Sequence, residues 1–107
     1  MIKSPNTILR LLRSKKTVIK VRAFTRKEKK ENVAFCYTER GTIHIDQDLT
    51  CEMRVRALIH ECLHLLNPIF PRHFTDEELH IFINTLEKKA FDKLTQKEYD
   101  GLKSFVT

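Results

Sequence analysis

A chain of 107 residues, 41% hydrophobic and carrying a net charge of +6, is long enough for one domain with a modest core and too apolar to be disordered throughout. It has no apolar run able to span a bilayer, and Met1-Ile2-Lys3-Ser4-Pro5 lacks the apolar stretch of a secretory signal, which points to the cytoplasm. Cys36, Cys51 and Cys62 are odd in number and widely spaced, which argues against a disulfide framework and excludes a cysteine-based zinc knuckle.

Ser4-Pro5 resembles a helix cap followed by proline at the first helical position, and Ile8, Leu11 and Leu12 share one face, predicting a short helix over 5–15. Thr17 to Phe24 alternates and is rich in β-branched residues, predicting a strand over 17–24. Residues 26–32 are mostly charged and are expected to form a loop. A second strand is predicted over 33–38 and a third over 42–46; the short link Glu39-Arg40-Gly41 should join them as a hairpin. From Thr50 the apolar period lengthens to near 3.6, predicting a helix over 50–67 closed by Pro68. Thr75-Asp76-Glu77-Glu78 is a capping-box start for a helix reaching about Ala90, and 96–106 suggests a last short helix. The order predicts a single α+β domain over 1–107.

Charge is uneven along the chain. Residues 1–31 hold eleven Lys or Arg against Glu28 and Glu31, a net +9, which leaves −3 for the rest. A basic first third could meet a nucleic-acid or acidic partner; the favoured reading is a solvated surface with a lysine-rich loop, because no nucleic-acid motif accompanies the charge.

The chemistry lies in His60-Glu61-Cys62-Leu63-His64. Two histidines four apart on a helix lie one turn apart on the same face and can hold one zinc ion from one side. The intervening glutamate of such a motif serves as general base toward water at the metal. At 100° per residue, Val55, Leu58, Ile59, Cys62 and Leu66 form an apolar stripe, with His60 and His64 on the opposite side beside Met53 and Ala57. The stripe should pack on the sheet and the histidines should face the following helix.

Motif and layout resemble the zincin metallopeptidases, and most of all the very small members known as minigluzincins. By layout the resemblance covers most of the chain; by residue identity it is confined to the helix Arg56 to Leu66. It implies a zinc-dependent endopeptidase in which a small three-stranded sheet packs against the HExxH helix and a following acidic-start helix. It also implies an edge strand that pairs with an extended peptide, here expected to be 42–46, which directly precedes the motif helix. In gluzincins the third zinc ligand is a glutamate on a later helix. Glu78 is the expected ligand, beside the apolar face set by Leu79, Phe82, Ile83, Leu86 and Ala90, with Asp76 next, Glu77 pointing away and His80 on the flank. His73 stands nine residues after His64, so the metzincin spacing fails. Tyr37, His73, His80 and Tyr99 are candidates to stabilise an oxyanion. In minigluzincins a C-terminal tail can hold the enzyme latent; here that segment would be 94–107. Two other functions stand beside the peptidase: a DNA-associated protease resembling the SprT-like proteins, recruited through the basic first third, and a non-catalytic zinc-binding module.

Overall fold

The computed structural model describes residues 10, 12–13, 17–37, 40–65 and 75–107, apart from the side chain of Asp76. Among the described residues, seven elements with defined bounds follow in order: β1 (Val18–Arg22), α1 (Arg26–Glu31), β2 (Ala34–Tyr37), β3 (Thr42–Asp46), α2 (Cys51–Leu65), α3 (Asp76–Asp92) and α4 (Gln96–Lys103). They make an α+β fold around a three-stranded mixed sheet. Most of the helix expected over 5–15, the last residues of the one expected over 50–67, Pro68 and His73 lie outside the described residues. Arg10, Leu12 and Arg13 are helical, and Leu12 is buried in the core.

The hairpin forms as its short link predicts. β2 runs antiparallel to β3, pairing Ala34 with Ile45, Phe35 with His44, Cys36 with Ile43 and Tyr37 with Thr42. Gly41 turns the chain at φ 63°, a conformation that a side chain with a Cβ disfavours. β1 then pairs in parallel with β3, Ile19 beside Ile43 and Val21 beside Ile45. The sheet order is therefore β1-β3-β2. The strand expected at the edge, Thr42–Asp46, is the central one. Its buried Ile43, Ile45 and Asp46 explain the place: both flanks and the inner face are covered. The edges fall to β1, with its outward Lys20 and Arg22, and to β2.

The segment expected as a charged loop is also corrected. Residues 26–31 form α1, started by a capping box in which the Thr25 hydroxyl accepts from Glu28 N and the Glu28 carboxylate accepts from Thr25 N at 2.9 Å. No residue of α1 is buried, so caps and ion pairs hold it rather than an apolar face. Glu28 also takes two bonds from Arg22, at 3.1 and 2.7 Å, and Lys29 pairs with Asp48. This guanidinium, with the Thr25 amide, holds the Glu28 carboxyl at about 2.

α2 lies on the inner face of the sheet, and its Val55, Leu58, Ile59 and Cys62 are fully buried, as the stripe predicts. Thr50 caps it, its hydroxyl accepting from Met53 N at 3.3 Å. Ala57 and Leu63 are buried too, because α3 covers that flank through Ile83. α4 closes the core from the far end of α2. Leu102 and Val106 are fully buried, and Arg54 Nη1 donates to Val106 O at 2.9 Å. Residues 94–107 thus pack into the core, and none of the described ones lines the groove beside His60 and His64.

The outer face of the sheet is different. Phe35 stacks on His44 with ring centres 4.9 Å apart, and Tyr37 meets both rings edge-on. Arg22 lies over Phe24 and Phe35 at 4.9 and 5.7 Å and donates from Nε to His44 Nδ1 at 3.0 Å. Tyr37 is half exposed with Arg40 over its ring, and Lys20 stands beside His44 on β1.

Candidate metal centre and groove

The C-terminal half of α2 carries the HExxH residues past the edge strand. The inward side chains of β2, Ala34 and Cys36, point toward this helix, and α3 walls the opposite side. Two adjoining hollows of about 340 and 350 Å³ result, sharing Asn32, Ala34, His60 and Glu61. Together they make a groove with the motif at its floor and, along its rim, an edge of β2 that no described strand covers. Val33 O accepts from Asp46 N at 3.1 Å, so Val33, Phe35 and Tyr37 direct their backbone groups to β3. By the alternation of an antiparallel ladder, the N–H and C=O of Ala34 and Cys36 face the other way, and among the described residues no strand lies beyond them.

His60 and His64 meet as their spacing predicts. Their Nε2 atoms are 3.2 Å apart, and the ring centres 4.9 Å. Two imidazoles sharing a tetrahedral zinc at about 2.0 Å would have donor atoms about 3.3 Å apart. The pair therefore fits two of the ligand positions of such an ion. Among the described residues, no group of three His, Cys, Asp or Glu side chains is gathered closely enough to hold a metal.

His60 is oriented by a residue that the sequence did not single out. Its Nδ1 donates to Glu87 Oε1 at 2.8 Å, which leaves the Nε2 lone pair facing His64. Glu87 is held in turn by Arg56, whose Nε and Nη2 donate to Oε2 at 3.3 and 3.1 Å. Burial pushes the Glu87 carboxyl up, but the bonds from His60 and Arg56 outweigh it and hold it below its ordinary value. Reciprocally, the Glu87 bond raises His60 against the effect of burial. Among the described residues, no carboxylate bonds His64 in the same way. Burial, with His60 and His80 nearby, lowers it to about 4, so it is neutral near pH 7 and has a lone pair to give.

Glu61 is buried at 8% exposure. Burial raises its carboxyl above the ordinary value, against the opposing pull of His60 and of the Cys36 thiol, which donates to it. The thiol itself is pushed to about 12 by burial and by the Glu61 charge, so it stays protonated. A carboxylate raised toward neutrality and aimed into a groove is suited to take up and return a proton.

Of the acids at the start of α3, Glu78 is exposed and serves the helix cap: one carboxylate oxygen accepts from Thr75 N at 3.1 Å, while the Thr75 hydroxyl accepts from Glu78 N. It is not among the described residues that line the groove. Glu77 is exposed. His80 does line the groove, its ring centre 6.0 Å from that of His60. Tyr37 stands on the outer face of the sheet and Tyr99 packs against Phe91, so neither reaches Glu61. Asn32, Cys36, Arg56, Asn84 and Glu87 are polar groove residues to which the sequence alone assigns no role. A signal did exist for two of them. Arg56 stands one turn before His60, and Glu87 falls seven residues after His80 on the same helical stripe.

Comparison of the chain with protein-family models, with curated proteins and with solved structures gave no match. Among the described residues, no helix is long and apolar enough to cross a membrane.

Proposed function

We propose that the protein is a zinc-dependent endopeptidase that cleaves an extended stretch of polypeptide laid along β2. One observation carries this reading. His60 and His64 bring their Nε2 atoms to 3.2 Å, beside a buried glutamate, at the floor of a groove rimmed by a strand edge that no described strand covers. The backbone groups of Ala34 and Cys36 would pair with the peptide as an added strand, which holds the scissile carbonyl over the motif. His60 and His64 hold the ion from α2, and a third protein donor comes from the N-terminal half of α3, where Asp76, Glu78 and His80 stand. Zinc bound there supplies Lewis acidity, polarising a carbonyl and acidifying water. Glu61 takes the proton from the attacking water and delivers it to the leaving amine. Elemental analysis of the purified protein tests the metal, and hydrolysis of an unfolded protein such as casein tests the reaction. Glu61→Gln should keep the zinc and lose the cleavage. A wild type that takes up no zinc, or a Glu61→Gln variant that still cleaves, would refute the reading.

A second reading concerns where the peptidase acts. Half-exposed Tyr37, Phe35 and His44 on the outer sheet face, ringed by Lys20, Arg22 and Arg40, combine flat rings with cations, as single-stranded nucleic acid requires. The face lies on the side of the sheet away from Glu61, so both activities fit on one domain. Retention on single-stranded DNA that falls with salt, and that Arg22→Ala and Arg40→Ala weaken, would support recruitment to nucleic acid. Retention unaffected by both substitutions would exclude this face.

A further inference from the structure

We infer that His80 is the third protein ligand of the centre, which makes it a three-histidine site for a borderline divalent cation such as zinc. The inference rests on the reading of His60 and His64 as a metal pair and deepens it.

The contacts of α3 with α2 set the argument. Glu87 reaches His60 and Arg56, which identifies the face of α3 turned to α2. At 100° per residue, His80 lies about 20° from Glu87 around the helix, while Glu78 lies about 180° away. Glu78 is thus on the far side of α3, and its place in the capping box with Thr75 agrees with that. His80 lies two turns before Glu87, where α3 has run back along α2 to the level at which His60 and His64 present Nε2. Its ring centre is 6.0 Å from that of His60. Two imidazoles sharing one zinc through Nε2 have ring centres about 5 Å apart, the spacing His60 and His64 already show. The His80 ring centre is therefore about 1 Å farther from that of His60 than a shared ion would place it, and the three rings are not gathered as they stand; His80 is exposed, so rotation about its side-chain bonds is free to bring it in.

Among the described residues, the other donors near the pair are committed elsewhere. Glu87 sits on the Nδ1 side of His60, away from Nε2, and is held by Arg56. The Cys36 thiol donates to Glu61, and Glu61 is the neighbour of His60 on α2, where the general base is needed. Three neutral donors leave the full double charge of the ion facing Glu61, whereas a carboxylate ligand would cancel half of it.

Zinc affinity measured by chelator competition on the full chain tests the assignment, with His80→Ala, Glu78→Ala and Asp76→Ala beside the wild type and far-UV circular dichroism as the check on folding. His80→Ala should weaken zinc binding more than about a hundredfold, since a lost ligand costs more than a lost outer partner. Glu78→Ala and Asp76→Ala should stay within about threefold of the wild type. Imidazole nitrogen resonances of the unmutated protein give a reading that needs no variant. One equivalent of zinc should move those of His60, His64 and His80 and leave those of His44 and His73 in place. Normal affinity in His80→Ala, a large loss in Glu78→Ala or Asp76→Ala, or a shift of His73 in place of His80 overturns the inference and leaves the metal centre standing. A wild type that binds no zinc overturns both.

Discussion

Removing the Leu102 side chain decides between two roles for the C-terminal segment. Leu102 is fully buried against α2, and Val106 beside it is equally enclosed. Leu→Ala at such a site forfeits the transfer free energy of the lost methyl groups and leaves a cavity, together about 3 kcal/mol. A domain of this size is stable by roughly 5–15 kcal/mol, so Leu102→Ala should fold but sit nearer its limit. With a urea dependence of about 1.5 kcal/mol per molar, the unfolding midpoint should fall by about 2 M. Ending the chain at Leu94 removes Leu102, Val106 and the Val106 carbonyl that Arg54 bonds, and that chain should not fold at all. Urea denaturation followed by circular dichroism, run beside a peptidase assay, reads both roles. If Leu102→Ala kept the wild-type midpoint while peptide cleavage rose, the segment would be a removable plug of the groove, and the burial argument would be wrong.

Three further outcomes follow from the site and the sheet. Glu87→Gln should weaken zinc binding about ten- to hundredfold by chelator competition, because His60 loses the carboxylate that sets its tautomer, while the fold persists. Cys36→Ala removes a donor to the Glu61 carboxylate, which favours the protonated form; the acidic limb of the cleavage profile should therefore move to higher pH. Glu28 is held at about 2 when folded, against an ordinary value of 4.5, so its contribution is complete above pH 4.5 and is lost as pH falls toward 2. The urea midpoint of the wild type should drop more between pH 5 and pH 2 than that of Glu28→Gln.

The strands and the HExxH helix were legible because period alone determines them. Alternation in 18–22 and 42–46 and the 3.6 spacing of Val55, Leu58, Ile59 and Cys62 survive any tertiary arrangement. α1 was hidden by its own charge. Thr25-x-x-Glu28 has the same signature as Thr75-x-x-Glu78, but without an apolar face behind it the run resembles a loop. The position of β3 was not legible, since local pattern fixes the hairpin while a parallel partner is chosen by contacts distant in sequence. The same limit hid Glu87. Which face of α3 turns toward His60 depends on how α2 and α3 pack, and nothing within either helix states it. Reading Leu79, Phe82 and Leu86 as the buried face placed Glu78 at its border; the contact of Glu87 with His60 shows where the polar part of the interface lies.

A strand edge that no described strand covers is as accessible to another copy of the same protein as to any extended chain. β2 is only four residues long, which limits how firmly two such edges can pair. Exposed Arg40 lies over the ring of Tyr37 at the end of β2, and the chain carries a net charge of +6, so two copies repel before their edges meet. A net charge of this size opposes the approach of two such edges, and the repulsion weakens as salt screens it.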